Sequence, residues 1–196
     1  MSLLPYASLT HRRKGYRATE DVVLIQSQTA SDSATISFTS GINSTYGEYI
    51  FKFYNIHPET DNVNLTFQAN ATDSTSYDET ITSTAWQSYN NEAGDDTNLN
   101  YNASDDQYQG TAFQIIAYGL GTDNDQNAAG ELHLFNPAST TYVKHFYAET
   151  VVTRYQEGNP HNFFAGYFNT TTAIDDIQFK MSSGNFNGVI KLWGVK

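Results

Sequence analysis

The sequence predicts an all-β protein: an antiparallel sandwich or barrel of ten or eleven short strands. Three observations predict it. Asn, Ser and Thr supply 57 of the 196 residues and Tyr and Phe another 26, whereas the helix fillers Leu, Lys and Glu are scarce. Thr and aromatic side chains suit a pleated, half-buried surface, and Asn and Ser suit turns. Apolar and polar residues alternate at period two along much of the chain, and Gly/Pro/Asn/Asp clusters interrupt that alternation at short intervals.

The strands follow in order. A first is predicted at 22–26. In "SATISFTS" Ala34, Ile36 and Phe38 share one face and Ser33, Thr35, Ser37 and Thr39 the other. "EYIFKFYNI" sets Tyr49, Phe51 and Phe53 against Ile50, Tyr54 and Ile56, with Lys52 its one clearly polar member, and reads as a central strand buried on both faces. "NVNLTFQAN" aligns Val63, Leu65 and Phe67. Further strands are expected at 79–88, 112–118, 131–135, 142–153 and 162–169. "DDIQFKM" aligns Ile177, Phe179 and Met181 against Asp176, Gln178 and Lys180, and "GVIKLWGV" sets Ile190 and Leu192 opposite Lys191 and Trp193. The turns between them include "TSGINSTYG", "IHPETDN", "GLGTDNDQNAAG", "FNPAST", "QEGNPHN" and "MSSGNFNG". Residues 89–110, "YNNEAGDDTNLNYNASDDQYQG", break the rhythm and read as a long exposed loop, a common place for recognition on a β scaffold.

Charge divides the chain in two. Residues 1–17 hold four of the ten Lys/Arg and no acid, whereas residues 18–196 hold six against all twenty-one Asp/Glu. So acidic a body repels phosphate backbones and anionic membranes, which argues against nucleic-acid binding by it. With no cysteine there is no disulfide framework and no thiolate site. No apolar run reaches the ~18–20 residues of a membrane span, and "SLLPYASL" precedes its charges and contains Pro5, unlike a secretory leader. The expected organisation is an arm, residues 1–20, and a β domain, residues 21–196. In the arm Leu3, Leu4, Tyr6 and Leu9 would pack on a partner protein while Arg12, Arg13, Lys14 and Arg17 meet acidic groups there. Alone in water so short an arm cannot bury enough apolar surface to order itself.

Motifs for chemistry are sparse. Asp123, Asp125 and Asn127 occupy the first, third and fifth positions of a calcium loop, but Ala128 stands where that loop needs Gly and Leu134 where it needs Glu; an Asx-rich hairpin turn accounts for the same residues. His133 and His145, on strands that "FNPASTTY" joins, face each other in one register with Glu131 nearby, a zinc-like set that a one-residue slip disperses. Asp95–Asp96, Asp105–Asp106 and Asp175–Asp176 are adjacent pairs, and neighbours on a strand point to opposite faces, which disfavours a shared glycosidase site. No Ser nucleophile elbow, HExxH, phosphate loop or dinucleotide fingerprint occurs. The reading is therefore no catalytic residue, no cofactor and no metal. Trp86, Tyr89, Tyr101 and Tyr108 surround or occupy the acidic loop, where aromatic faces beside Asp and Asn would either take a sugar or pack against a subunit.

Three segments carry a resemblance: "ATISFTSGINSTYGEYIFKFYNIHPETDNVNLTFQ", "GTDNDQNAAGELHLFNPASTTYVKHF" and "FFAGYFNTTTAIDDIQFKMSSGNFNGVIKLWGV". They resemble structural proteins of tailed phages, many of them marine and some infecting cyanobacteria, from about residue 22 onward. "EYIFKFYNIHP", "GELHLFNP" and "IDDIQFKMSSGN" are the most specific pieces, and "GVIKLWGV" is similar to the closing strand of jelly-roll modules in phage fibres and head decorations. The resemblance implies a jelly-roll virion component, commonly a homotrimer without enzymatic activity. It brings no catalytic residues and covers the β domain, not the arm. The expected function is a capsid decoration or short tail fibre docked on a capsid or tail-adaptor protein. The alternative is a module recognising host-surface glycans through the 89–110 loop.

Overall fold

The computed structural model describes residues 21–196, and alternation along the chain becomes thirteen antiparallel strands with no helix among the described residues. They are β1 (Val22–Ser33), β2 (Thr35–Phe38), β3 (Glu48–Pro58), β4 (Val63–Ala71), β5 (Ile81–Asn91), β6 (Thr97–Tyr101) and β7 (Tyr108–Gly110). Next come β8 (Gln114–Leu120), β9 (Ala128–Phe135), β10 (Lys144–Val152), β11 (Gly158–Phe168), β12 (Ile174–Met181) and β13 (Phe186–Val195). Nine strands form one sheet in the order β1-β13-β3-β9-β10-β11-β5-β6, with β7 paired to β5. The other four form a second sheet, β2-β12-β4-β8. The all-β, two-sheet fold read from the sequence is the fold observed.

The inward parity of each strand fills the space between the sheets. Phe179 of β12 lies 5.2–6.2 Å from the rings of Phe38, Phe51, Phe53 and Phe67, drawn from β2, β3 and β4. Phe67 in turn meets Phe146 at 5.0 Å and Phe168 at 5.9 Å, mostly edge to face, the arrangement that ring quadrupoles favour. Each fully buried ring of this kind contributes about 1.5–3 kcal/mol from burial before chain entropy is counted.

Two expectations are corrected. β3 is buried on one face only: Tyr49, Phe51 and Phe53 are interior, while Ile50 is half-buried and Tyr54 exposed. Ile56 reaches the interior because Asn55, at φ 50, forms a bulge that shifts the register against both β13 and β9. Residues 89–110 are also not one exposed loop. β5 runs on to Asn91, and β6 and β7 return along its edge. Buried Gln114 anchors the segment, donating to the Asp105 carbonyl at 2.8 Å and accepting from Ser83 Oγ at 2.6 Å, while Ser83 Oγ accepts from the Gln107 N–H at 2.9 Å. These partners lie far apart in sequence, so local polarity gave no sign of them.

Candidate functional site

A strand that points one parity into the core points the other outward, and on the nine-stranded sheet that outward set is strongly apolar. The cross-strand registers assemble it into rows. One row runs Leu24, Trp193, Ile50, His133, Tyr147, Ala165 and Thr84 across seven strands. The next runs Ser27, Lys191, Lys52, Glu131, Glu149, Phe163, Trp86 and Tyr101. Beyond it lie Val189 beside Tyr54, then Ala129, Val151, His161, Ser88 and Leu99. Leu24, Tyr54, Trp86, Leu99, Tyr101, Tyr147 and Val151 are exposed, from 39% for Tyr147 to 71% for Leu99, whereas Ile50, Phe163, Val189 and Trp193 are half-buried. Apolar rows on either side of a charged strip make this face a candidate interaction surface.

The charged row has its own order. Lys191 and Lys52 are direct neighbours, then Glu131 and Glu149. Lys52 Nζ lies 3.2 Å from Glu131, Glu149 lies 2.7 Å from His161, and the Lys191 ammonium sits 5.1 Å from the centre of the Tyr54 ring. His133 is buried flat against Tyr147, with ring centres 4.3 Å apart. Its Nδ1 meets Glu48 at 2.5 Å, and its Nε2 lies 3.0 Å from Glu131 without the alignment of a hydrogen bond. His133 first and Lys52 second hold the Glu131 carboxyl below its ordinary range. Burial, followed by the Glu48, Glu131 and Glu149 charges, raises the Tyr147 hydroxyl.

Of the aromatic residues expected to form a ligand loop, the fold brings two together. Trp86 stacks on Phe163 at 4.1 Å, and Tyr101 stands directly opposite Trp86 on β6, its hydroxyl bonded to Asp106. Tyr108 is exposed on β7 at the sheet edge, opposite Thr82. Tyr89 is not a surface aromatic: it occupies the inward parity of β5, buried where a Cβ at Gly158 would fall 2.5 Å from its ring. The arm residues Leu3, Leu4, Tyr6, Leu9, Arg12, Arg13, Lys14 and Arg17 lie outside the described residues.

The chemical sets weighed from the sequence come apart in space. His133 pairs across β9 and β10 with Tyr147, not His145. Its two acidic neighbours sit on opposite ring nitrogens and converge on no common point. The Asp123–Asn127 segment is a turn closed by the Gln126 N–H donating to the Asp123 carbonyl at 2.9 Å, and the inward Gln126 side chain accepts the Asp123 N–H at 3.3 Å. Among the described residues no group of three or more His, Asp or Glu is placed to hold a metal ion. Asp95 and Asp96 hydrogen-bond to Asn91, and Asp105 is buried with its carboxyl raised by that burial while Asp106 holds Tyr101.

The double-sided apolar pattern of strand 48–56 already suggests surface left over for a second subunit, but the sequence does not assemble the outer face as a whole. Its signal lay in strands with apolar residues on both parities, such as Phe163 and Phe164 or Leu192 and Trp193, which separate reading of each strand does not collect. Two grooves adjoin the face. One of about 930 Å³ opens at the sandwich end between Tyr46, Phe135, Tyr142 and His145, and a second of about 410 Å³ shares Phe135 and His145 and continues toward Ala165. Compared with protein-family models, curated proteins and solved structures, the chain matches none of them.

Proposed function

We propose that this chain is a non-enzymatic structural protein of a phage virion, a capsid decoration or short tail fibre. In this reading the β domain assembles with copies of itself, as a homotrimer, and residues 1–20 dock each copy on a capsid or tail-adaptor protein. The observation that carries it is the outer face of the nine-stranded sheet, where Leu24, Tyr54, Trp86, Leu99, Tyr101, Tyr147 and Val151 stand exposed and no other described segment covers them. The resemblance of the β domain to phage structural proteins supplies the particle. Three arms per assembly would raise attachment through effective concentration without any new contact. Deleting residues 2–18 tests the docking: incorporation into particles is expected to fall by more than about tenfold, as lost multivalency implies, and undiminished incorporation rejects it.

A second reading is recognition of host-surface glycans. It is favoured by Trp86 on Phe163 with Tyr101 opposite, a platform wide enough for a sugar face. A glycan array with the purified protein separates the two. Specific hits lost in Trp86→Ala or Tyr101→Ala support recognition, and their absence leaves assembly alone.

A further inference from the structure

Within one copy the charged row of the outer face is arranged badly. Lys191 lies directly across from Lys52, and Glu131 directly across from Glu149. Like charges directly opposite on neighbouring strands destabilise a sheet, and alternation of sign along the same four positions would remove both clashes. The order positive, positive, negative, negative has a different virtue. Turned around, it is its own complement.

The balance of charge points the same way. Residues 18–196 carry twenty-one carboxylates, yet the outward positions of this sheet hold three, Glu48, Glu131 and Glu149, together with two of the six cations of that span. The rest of that span carries the other eighteen carboxylates against four cations, so copies approaching there meet net negative charge on average, whereas here they meet near neutrality. Apolar residues border the charged row on both sides: Leu24, Trp193, Ile50 and Tyr147 on one, Val189, Tyr54, Val151 and Leu99 on the other. The arrangement is that of an interface whose dispersion and burial supply affinity while a short charged strip sets register. A phosphate polymer would meet the three Glu, and an all-apolar partner would bury the Lys52–Glu131 and Glu149–His161 pairs and the Lys191 ammonium while offering them no counter-charge of its own. The pattern the face requires of a partner is one the face itself presents.

We propose that the outer face of the nine-stranded sheet binds a second copy of this chain face to face and turned about, the Lys52–Lys191 half of each copy lying against the Glu131–Glu149 half of the other. This rests on the assembly reading above and names the surface through which it works. The same patch serves both copies, so the contact is two-fold and closes as a pair, which puts a dimer in place of the homotrimer as the unit built on this face.

Sedimentation of the full chain over a concentration series, at about 0.15 M and about 1 M salt, provides the test. The wild type is expected to associate. Lys191→Glu and Glu149→Lys, which leave the Lys52–Glu131 bridge in place, are each expected to weaken association at least about tenfold at the lower salt and less at the higher. The double variant Lys191→Glu/Glu149→Lys restores opposite signs across the contact and is expected to return to within about threefold of the wild type, because the two changes couple. Thermal unfolding checks that each variant is folded; should a reversal fail to fold, Lys191→Gln and Glu149→Gln replace it and are expected to weaken association without mutual rescue. A wild type that stays monomeric sinks the assembly reading itself. A wild type that associates while both single reversals leave it unchanged overturns this surface and leaves the reading to another one. A folded double variant no tighter than the singles also overturns it.

Discussion

The two sheets turn opposite kinds of outer face to the world, and each is treated contrary to its polarity. Outward on the four-stranded sheet stand Thr66, Gln68, Asn70, Gln178, Lys180 and Ser37, a polar set, and the chain covers it. The Gln68 amide donates toward the carbonyls of Glu79, Thr111 and Ala112 at 3.0–3.1 Å, and Phe113 lies 3.9 Å under the Lys180 ammonium. Thr66, Gln68 and Asn70 are buried in consequence. Outward on the nine-stranded sheet stand Leu24, Ile50, Tyr147, Trp86 and Leu99, an apolar set, and among the described residues no segment covers it. Hydrogen bonds are directional, so a buried polar face needs fixed partners that the same chain can deliver in register. Apolar burial is non-directional, and a partner docking from solution can provide it. The contrast separates what this fold needs for itself from what it offers to others.

If that separation holds, damage to the shared core harms both faces and damage to either outer face harms one. Phe179→Ala is expected to have the largest effect, because its ring touches four others and stitches three strands. About 3–5 kcal/mol of unfolding free energy should be lost in urea titrations, the range for emptying a buried aromatic site. Retention of wild-type stability would mean that the sheets are not held through this cluster.

Gln68→Ala comes next. It removes a buried amide that donates to three partly buried carbonyls beneath the polar cover, of which that of Ala112 keeps the Gln107 amide, at about 1–2 kcal/mol. Faster amide exchange at 111–113 should accompany the loss, and association of the protein should be unaffected. An association defect in this variant would blur the distinction between the two faces.

Some of this was legible beforehand. The inward parity of "DDIQFKM" is interior as expected, because a strand with one apolar and one polar parity has a single way to lie, and Ile190 and Leu192 of "GVIKLWGV" are interior too. β3 misled because one-strand patterns assume unbroken pleating: the bulge at Asn55 moves Ile56 from the outer parity to the inner one. Residues 89–110 misled because Gln114 and Ser83, which hold them, lie outside the segment. Trp86 and Tyr101 were picked out by their residue type, but their place on a wide apolar face depends on a strand order, β10-β11-β5-β6, that joins distant parts of the chain. Tyr89 was grouped with them by proximity in sequence, and the alternation of β5 puts it on the other side.

The buried turn beside Tyr101 gives a smaller, pH-dependent test. Burial raises the Asp105 carboxyl above its ordinary value, despite hydrogen bonds from Ser104 and Asn102 that act the other way. The folded chain thus binds that proton more tightly than the unfolded chain, so this group's favourable contribution is complete below the ordinary carboxylate pKa of about 4 and declines as pH rises through the folded value. Glu131, held low by His133 and Lys52, runs oppositely: its contribution is present above the ordinary pKa and disappears as pH falls through the folded one. Asp105→Asn should therefore raise Tm relative to wild type more at pH 7 than at pH 4. An equal shift at both pH values would show that Asp105 is not the group responsible.

The smallest expected effect on stability is the sharpest on the comparison. Val151 is exposed on β10, within the outer row that ends at Leu99, and Thr has nearly its shape and an equal liking for strands. On a face that meets only water, Val151→Thr should change unfolding free energy by less than about 0.5 kcal/mol. On a face that a second copy covers, the added hydroxyl is desolvated without an assured partner, and association should weaken severalfold while the monomer melts unchanged. A monomer destabilised as much as by Gln68→Ala would place Val151 under a cover of its own chain, and the two outer faces would then be alike.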